Sequence, residues 1–165
     1  MSEYNLNNLE LDDNTFEVLP EGDYHFIVDS HEVGYAKSSK LPENTQQITL
    51  FLDIPFFDND GDLQMAHVKK SLFVAKKTMF VIRNFAEAIG LAPEKGKFNF
   101  DITKIDGRSG VCQLSVFENN NGNEINTVDN FYPPSKAPLK TANDEAFAKK
   151  DAFLEVKDYN AVTFD

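Results

Sequence analysis

The sequence has few of the residues that build disulfides and zinc sites. Its 165 residues include a single cysteine, Cys112, which has no partner for an internal disulfide. The three histidines, His25, His31 and His67, are scattered, so no cluster of Cys and His has the spacing of zinc ligands. This composition excludes a disulfide-stapled domain and is typical of a reducing compartment, which predicts a cytoplasmic protein.

Long hydrophobic runs are also absent. The first twenty residues contain no apolar stretch with basic flanks, so a secretory signal is not expected. No apolar run approaches the roughly 20 residues that a membrane helix needs. The length suits one domain with its own hydrophobic core. We therefore expect a soluble protein that makes no membrane contact.

Basic residues are scarce relative to acidic ones. The chain has 16 Lys and Arg against 27 Asp and Glu, a net charge of -11 at pH 7. Six of these acids and no base lie in residues 1–21, which we interpret as an acidic N-terminal arm. A protein this acidic does not attract nucleic acid through its overall field, so a nucleic-acid site requires a local basic patch.

Apolar periodicity predicts five strands and one helix in the middle of the chain. Alternating apolar residues mark the strands, which we place at residues 24–28, 46–55, 63–75, 111–117 and 124–132. Over residues 76–90 the apolar positions recur every three or four residues, which predicts an amphipathic helix capped by Gly90. The Asp- and Asn-rich stretches at 58–62 and 119–123 are typical of hairpin turns.

This element order favours one fold class. Three strands, a helix and two strands follow one another in the OB-fold, a five-stranded Greek-key barrel whose helix lies between strands three and four. A plain antiparallel sheet with one covering helix has the same order and is the alternative. We assign the barrel domain to residues 22–134 and end it at the proline cluster of residues 132–138. Residues 135–165 then form a linker, a short helix at 143–150 and a flexible tail.

The sequence offers little support for catalysis. Residues 58–62 are similar to the start of a calcium loop, but Leu63 and Lys69 stand where that loop needs its turn Gly and its bidentate Glu. A Gly-rich phosphate loop, a serine nucleophile elbow and a His-Glu-x-x-His motif are all absent. Cys112 alternates with apolar residues, which indicates a core position.

A metal-dependent nuclease is a minor alternative. It would require carboxylates that converge, and Asp53, Asp101 and Asp129 are acids near strand ends that could do so. Scattered acids of this kind often meet by chance, so we do not favour that interpretation. We predict a protein that is not an enzyme and that has no catalytic residues, no cofactor and no metal.

Lysines and aromatics cluster in a pattern typical of single-stranded nucleic-acid sites. Such sites pair a basic groove with aromatic rings that stack on bases, and OB barrels place the ligand on strands two and three and the neighbouring loops. The predicted phosphate contacts are Lys37, Lys40, Lys69, Lys76, Lys77 and Arg108. The predicted stacking residues are Tyr35, Phe51, Phe73 and Phe117.

Strand alternation divides these side chains by face. Lys69 and Lys70 are neighbours on the third strand, so only one of them can line the groove. Phe51 lies opposite the apolar face of the second strand and is the best stacking candidate. Most of the 15 phenylalanines belong to the core, in particular Phe26, Phe80, Phe85 and Phe100.

Three stretches have a more specific pattern. They are a Phe-x-x-Leu-Pro-x-Gly-x-Tyr lead at residues 16–24, the run Ser-Leu-Phe-Val-Ala-Lys-Lys at 71–77 before the helix, and Asp-Gly-Arg at 106–108. Together they resemble a small family of tailed-phage proteins encoded among replication and recombination genes, and the match covers roughly residues 16–134. The resemblance implies a single-stranded DNA-binding protein that serves phage recombinases in the cytoplasm of the host cell.

The resemblance also implies a partner site at the C-terminus. Members of this family often end in an acidic tail with a terminal Phe that recruits partners, here a phage recombinase or a replication protein. This chain has Tyr159 and Phe164 near its end but only two acids in its last eight residues, which departs from that pattern.

Two functions therefore remain open. The first is a protein that coats single-stranded DNA with little sequence preference, through a Lys/Arg groove and aromatic stacking. The second is an acidic module that docks a partner or mimics DNA on the same scaffold, which the net charge of -11 favours. Free strand edges are compatible with a homodimer in either case.

Overall fold

The computed structural model describes residues 18–37, 41–91 and 101–150. Its strands are β1 (Gly22–Tyr35), β2 (Gln46–Phe57), β3 (Leu63–Phe73), β4 (Ser109–Glu118) and β5 (Glu124–Tyr132). Helix α1 (Met79–Ala88) lies between β3 and β4, and the short helix α2 (Asp144–Ala148) follows β5. No helix in these ranges is long and apolar enough to cross a membrane.

The strands form one antiparallel sheet with the topology of an OB-like barrel. The order across the sheet is β3-β2-β1-β4-β5, so β4 returns after the helix to lie beside β1, as in a Greek key. Within the described residues, strand pairing does not close the sheet between its edge strands β3 and β5. The Lys70 ammonium crosses this gap and donates a hydrogen bond to the Val128 carbonyl oxygen, 2.9 Å away. The predicted fold class is confirmed, as a barrel that is open at one seam.

The core lies between the concave face of the sheet and helix α1. Alternate residues of β1 and β2 point inward and are buried, namely Tyr24, Phe26, Val28, Ile48, Leu50, Leu52 and Ile54. The rings of Phe26, Phe85 and Phe131 join β1, α1 and β5, with centroids 4.9 to 6.4 Å apart. Because these rings contact one another edge to face and offset, α1 is held firmly over one end of the barrel.

The predicted amphipathic helix is confirmed, with one correction. Ile82, Phe85 and Ile89 are buried against the sheet, as their spacing indicates. Phe80, which we assigned to the core, is instead 64% exposed. Each residue turns the helix by about 100°, so Phe80 lies on the side opposite Ile82 and its neighbours. Gly90, at φ +83°, ends the helix in the left-handed conformation, as predicted.

The two predicted hairpin turns are confirmed and share one construction. The Asp58 carboxylate accepts hydrogen bonds from the backbone N–H groups of Asp60 and Asp62, each 2.9 Å long. The Asn119 side-chain oxygen accepts the equivalent bonds, from the N–H groups two and four residues later, each 3.0 Å long. A short polar side chain that satisfies turn backbone explains why both stretches are rich in Asp and Asn.

Strand β1 is longer than its apolar pattern predicts. It continues past Val28 to Tyr35 and pairs with β2 along this added length. A β-bulge between Val28 and Ser30 changes the register at the point where the partner of β1 changes from β4 to β2. Residues 32–35 are exposed, so no burial pattern marks them as a strand, and pairing with β2 determines their conformation.

The segment after the proline cluster packs on the barrel. Asn143, directly before α2, accepts a hydrogen bond from the His25 N–H (2.8 Å) and donates to the His25 and Pro55 carbonyl oxygens (3.0 and 2.9 Å). The His25 ring stacks on Phe147 of α2, with centroids 4.3 Å apart. The predicted short helix is therefore present as α2. This segment follows the domain boundary that we placed at residue 134. It nevertheless packs on β1 and β2, because Asn143 forms hydrogen bonds with backbone groups of both strands.

The docking of α2 is expected to weaken in acid. Hydrogen bonds from Thr141, aided by the neighbouring His25, hold the pKa of the Asp144 carboxyl below its ordinary value of 3.8. A carboxyl with a lowered folded-state pKa stabilises the fold above its unfolded pKa, and this contribution is lost as the pH falls through the folded value. We expect Asp144→Asn to lower the thermal midpoint at pH 7, and this loss to shrink progressively as the pH falls below 3.8, as measured by thermal melts. The control variant Asp60→Asn is expected to show no such pH-dependent difference from the wild type.

Candidate nucleic-acid interface

The outer face of β2 and β3 brings together three of the predicted binding residues. In the register of these strands Phe51 pairs with Lys69, and Gln47 pairs with Phe73. Paired residues of an antiparallel sheet share a face, and the residues on either side of Phe51 are buried in the core. Phe51, Lys69 and Phe73 therefore lie together on the outer side of the barrel.

Polar side chains lie between the two phenylalanines. Thr49 pairs with Ser71, and the Gln47 amide donates hydrogen bonds to both hydroxyls, 3.1 and 3.2 Å long. Thr49 is buried, whereas Gln47 and Ser71 are partly exposed. Amide and hydroxyl groups like those of Gln47 and Ser71 contact phosphate and sugar in nucleic-acid complexes. We did not identify these three residues as part of the site from the sequence. Their alternation with apolar residues was the signal that could have indicated them.

A shallow groove of about 540 Å³ opens on this face. Phe51 and Lys69 line it on one side, and the acids Asp29 and Glu32 of β1 line it on the other. Asp53 of β2 lines it as well, so the lining has three acids and one lysine, Lys69. An anionic strand in this groove would be attracted at Lys69 and repelled by the acids.

His67 and Asp53 form the end of this groove that is nearer α2. They pair in register, and His67 Nδ1 lies 2.7 Å from Asp53 Oδ1. The His67 side chain is 78% exposed, so it is a surface residue with a carboxylate partner. Beyond this pair, Asn143 and α2 cover the outer face at Pro55, which limits the open part of the face.

Lys69 and Lys70 point to opposite sides of β3, as predicted. Lys69 is exposed on the groove, whereas Lys70 is half-buried with its ammonium on the Val128 carbonyl. Burial lowers the pKa of the Lys70 ammonium, and the charge of Asp129 opposes this effect. Lys69 is therefore the lysine of this pair that a ligand can reach.

Two further predicted lysines follow directly on this face. Lys76 and Lys77 are exposed in a 3₁₀ turn between β3 and α1. The Thr78 hydroxyl donates a 2.5 Å hydrogen bond to the Phe73 carbonyl oxygen, which fastens this turn to the end of β3. Neither lysine forms an ion pair with another residue that the structure describes. Both charges are therefore available to an anion.

Tyr35 and Lys37 lie at the same end of the sheet but not on the same side. Tyr35 pairs with Gln46, whose face is the one that points inward further along β2, and the ring is 64% exposed beyond the end of the core. The Val74 N–H donates to the Gln46 carbonyl (2.9 Å), so the end of β3 lies on the other side of Gln46 from Tyr35. Lys37 is exposed after β1, and Lys40 lies outside the described residues.

Arg108 is engaged in the fold and does not line the groove. Its Nε donates to the Lys104 carbonyl oxygen (2.9 Å) and its Nη1 to the Ile89 carbonyl oxygen (3.2 Å), just past the end of α1. The guanidinium thus joins α1 to the turn before β4. Its assignment as a phosphate contact stays a prediction, and the structure does not bring it to the groove.

Phe117 lies on a separate part of the surface. It is 55% exposed near the β4–β5 turn and pairs with Ile125, which is 44% exposed. The path from Gly22, beside β4, to Ser30, beside Phe51, covers eight residues of β1, or about 26 Å along the strand. Phe117 and Ile125 therefore form an apolar patch apart from the groove.

The acids considered for a nuclease do not form a cluster. Asp53 lies on β2, Asp101 precedes β4 and Asp129 lies on β5. Among the described residues, the carboxylates close enough to share a cation are those of the hairpin turn at 58–62. Cys112 is fully buried, as predicted, and burial raises the pKa of its thiol.

Comparison with protein-family models and with curated proteins finds no match to the chain. The functional argument therefore depends on the side chains that the fold brings together on the outer face. Further predicted elements lie outside the described residues, namely Tyr159, Phe164, Phe100 and residues 1–17 of the acidic arm.

Proposed function

We propose that this protein binds single-stranded DNA along the outer face of β2 and β3 and is not an enzyme. The observation that supports this most is the in-register pairing of Phe51 with Lys69, with Phe73 further along the same face. An aromatic ring beside a free ammonium fits one nucleotide, because the base stacks on the ring and the phosphate contacts the charge. OB barrels of known function use these same strands for oligonucleotides.

The neighbouring charges support a defined path for the strand. Lys76 and Lys77 continue the positive charge beyond Phe73, while Asp29 and Glu32 border the other side of the groove. Stacking and phosphate contacts tolerate every base, so we expect little sequence preference. In the phage setting that the resemblance implies, the protein would coat DNA in the host cytoplasm and pass it to a recombinase or replication protein.

Fluorescence anisotropy tests this proposal directly. A labelled strand of roughly 30 nucleotides is titrated at two salt concentrations, with an unlabelled duplex and an RNA of the same sequence as competitors. We expect tight, salt-sensitive binding that the duplex does not displace. Equal competition by RNA would broaden the ligand class to any single strand, and absence of binding at low salt would contradict the proposal.

Replacing Lys69 with alanine is expected to reduce both affinity and salt dependence. Each phosphate contact to a single strand contributes about 0.7 to the slope of log K against log salt concentration. We expect Lys69→Ala and Lys77→Ala each to lower the slope by about this amount, measured by the same titration. Lys104→Ala, an exposed lysine between α1 and β4, serves as the control. Unchanged slopes in both variants would show that the strand follows another path.

The acids of the groove favour a second candidate function. Asp29, Glu32 and Asp53 surround Phe51, and this arrangement also suits a basic segment of a partner protein. In that case the protein is a docking or DNA-mimic module on an OB-like scaffold. A labelled poly-arginine peptide would bind the wild type and lose affinity in Glu32→Gln, whereas the DNA proposal expects Glu32→Gln to bind single-stranded DNA at least as tightly as the wild type.

A further inference from the structure

Helix α1 presents an aromatic ring to solvent. Phe80 is 64% exposed on the side opposite the buried stripe of Ile82, Phe85 and Ile89. A phenylalanine in this position contributes little to the core, because most of its surface stays in water. A single exposed apolar side chain is ordinary on a protein surface, so the groups beside this ring decide whether it has a role.

Three cations lie close to this ring in the chain. Arg83 lies three residues after Phe80 on α1, on the same side of the helix, and Lys76 and Lys77 lie in the 3₁₀ turn directly before α1. All are exposed, and none forms an ion pair with another described residue. The first acid along the helix is Glu87, one turn beyond Arg83.

Helix stability does not explain this arrangement. The first turn of α1 contains no acid, and the two lysines precede it. Cations at a helix N-terminus oppose the helix dipole and are mildly unfavourable. These cations form no ion pair within the described residues, and an exposed ring lies between them in the chain. The combination suits an external anion that carries flat apolar groups.

Helix α1 follows β3 in the chain after a single 3₁₀ turn. Lys69 and Phe73 are four residues apart on β3, about 13 Å along the strand. The turn that follows is fastened by the Thr78 hydroxyl to the Phe73 carbonyl oxygen. From Lys76 to Arg83 the chain covers about 10 Å more along the helix axis. Binding residues thus follow one another along the chain without a break.

We propose that the exposed side of α1, formed by Lys76, Lys77, Phe80 and Arg83, is a second contact surface for single-stranded nucleic acid. This inference rests on the proposed function, because the strand reaches α1 after it leaves Phe51 and Phe73. A base stacks on Phe80, and the flanking phosphates contact Arg83 and the lysines. The surface therefore sets the length of strand that one molecule covers.

Strands of two lengths test this proposal. OB-type domains cover about 4–16 nucleotides, so we compare labelled oligothymidines of about 5 and about 20 nucleotides. Phe80→Ala is expected to weaken binding of the longer strand by roughly fivefold or more, the lower limit for one lost stack. Arg83→Ala is expected to lower its salt slope by about 0.7. Both variants are expected to bind the shorter strand like the wild type.

Controls separate this effect from changes in folding. Leu139→Ala removes another exposed apolar side chain, and Lys136→Ala removes another exposed cation; both are expected to bind as the wild type does. The thermal midpoint of Phe80→Ala is expected to stay near that of the wild type, because the ring is exposed. Photo-crosslinking of a bromodeoxyuridine strand is expected to label the peptide that contains Phe80.

The outcomes distinguish this inference from the proposed function. If the wild type binds neither strand, the proposed function fails and this inference fails with it. If the wild type binds both strands and Phe80→Ala and Arg83→Ala bind the longer one normally, only the α1 surface is wrong. Equal losses on both lengths would also overturn it, because α1 would then belong to the primary site. Binding of poly-glutamate through Phe80 and Arg83, with normal DNA binding, would assign the surface to an acidic protein instead.

Discussion

Replacement of Phe51 with alanine is expected to weaken the binding of single-stranded DNA by roughly 5- to 150-fold. The ring lies on the open outer face of β2, directly paired with Lys69 and at the wall of the groove. One base stacked on an aromatic ring contributes about 1–3 kcal/mol, and a factor of ten in affinity corresponds to about 1.4 kcal/mol. The salt slope is expected to stay the same, because Phe51 contacts no phosphate.

Two further substitutions at Phe51 serve as matched controls, because they separate the effect of the aromatic ring from that of apolar volume. Phe51→Trp keeps a ring and is expected to retain binding, whereas Phe51→Leu keeps apolar volume without a ring and is expected to lose most of it. Anisotropy at two salt concentrations measures the affinity and the slope of each variant. If Phe51→Leu and Phe51→Ala bind as tightly as the wild type, the base does not stack at this position and the groove is not the site.

Replacement of Asn143 with alanine is expected to destabilise the fold by about 2–4 kcal/mol, because a buried polar group left without a partner costs about 1–3 kcal/mol. This side chain is 4% exposed and satisfies three backbone groups, the His25 N–H and the carbonyl oxygens of His25 and Pro55. In the described register, β1 and β2 pair only from Ile27 and Asp53 onward, so Asn143 fills the space where the two strands separate. Water that enters in place of the amide would reduce the cost toward the lower value.

Chemical denaturation measures this loss, and two variants define its cause. Asn120→Ala, in the exposed β4–β5 turn, is expected to change stability by less than about 0.5 kcal/mol. Asn143→Asp keeps the acceptor but not the two donated hydrogen bonds, so we expect it to be destabilised as well. Wild-type stability in Asn143→Ala would mean that α2 and its preceding turn are dispensable to the barrel.

Features that depend on near neighbours in the chain were predictable. The alternation in β2 and β3, the three- and four-residue spacing in α1 and the Asp and Asn turns all follow from local geometry, and all are confirmed. Strand alternation also separated Lys69 from Lys70 and placed Phe51 on the outer face, since a strand turns successive side chains to opposite sides. The element order and one side of the candidate site therefore follow from local pattern alone.

Features that depend on distant partners were not predictable. The second half of β1 is a strand because β2 pairs with it, although its exposed residues have no apolar alternation. Asn143 is more than a hundred residues from His25 in sequence, and its place at the start of the predicted short helix did not indicate contacts with β1 and β2. Arg108 was expected in a groove, but two carbonyl oxygens that the fold brings near it hold its guanidinium instead.

For Phe80, the local sequence and the tertiary structure lead to different conclusions. Its apolar character favoured the core, and only the packing of α1 against the sheet showed which side of the helix is buried. Residue type and spacing encode the elements, their order and their turns, because these depend on interactions within a few residues. Which side chains share a surface was decided by the tertiary structure, because burial and hydrogen bonding between distant segments have no periodicity along the chain.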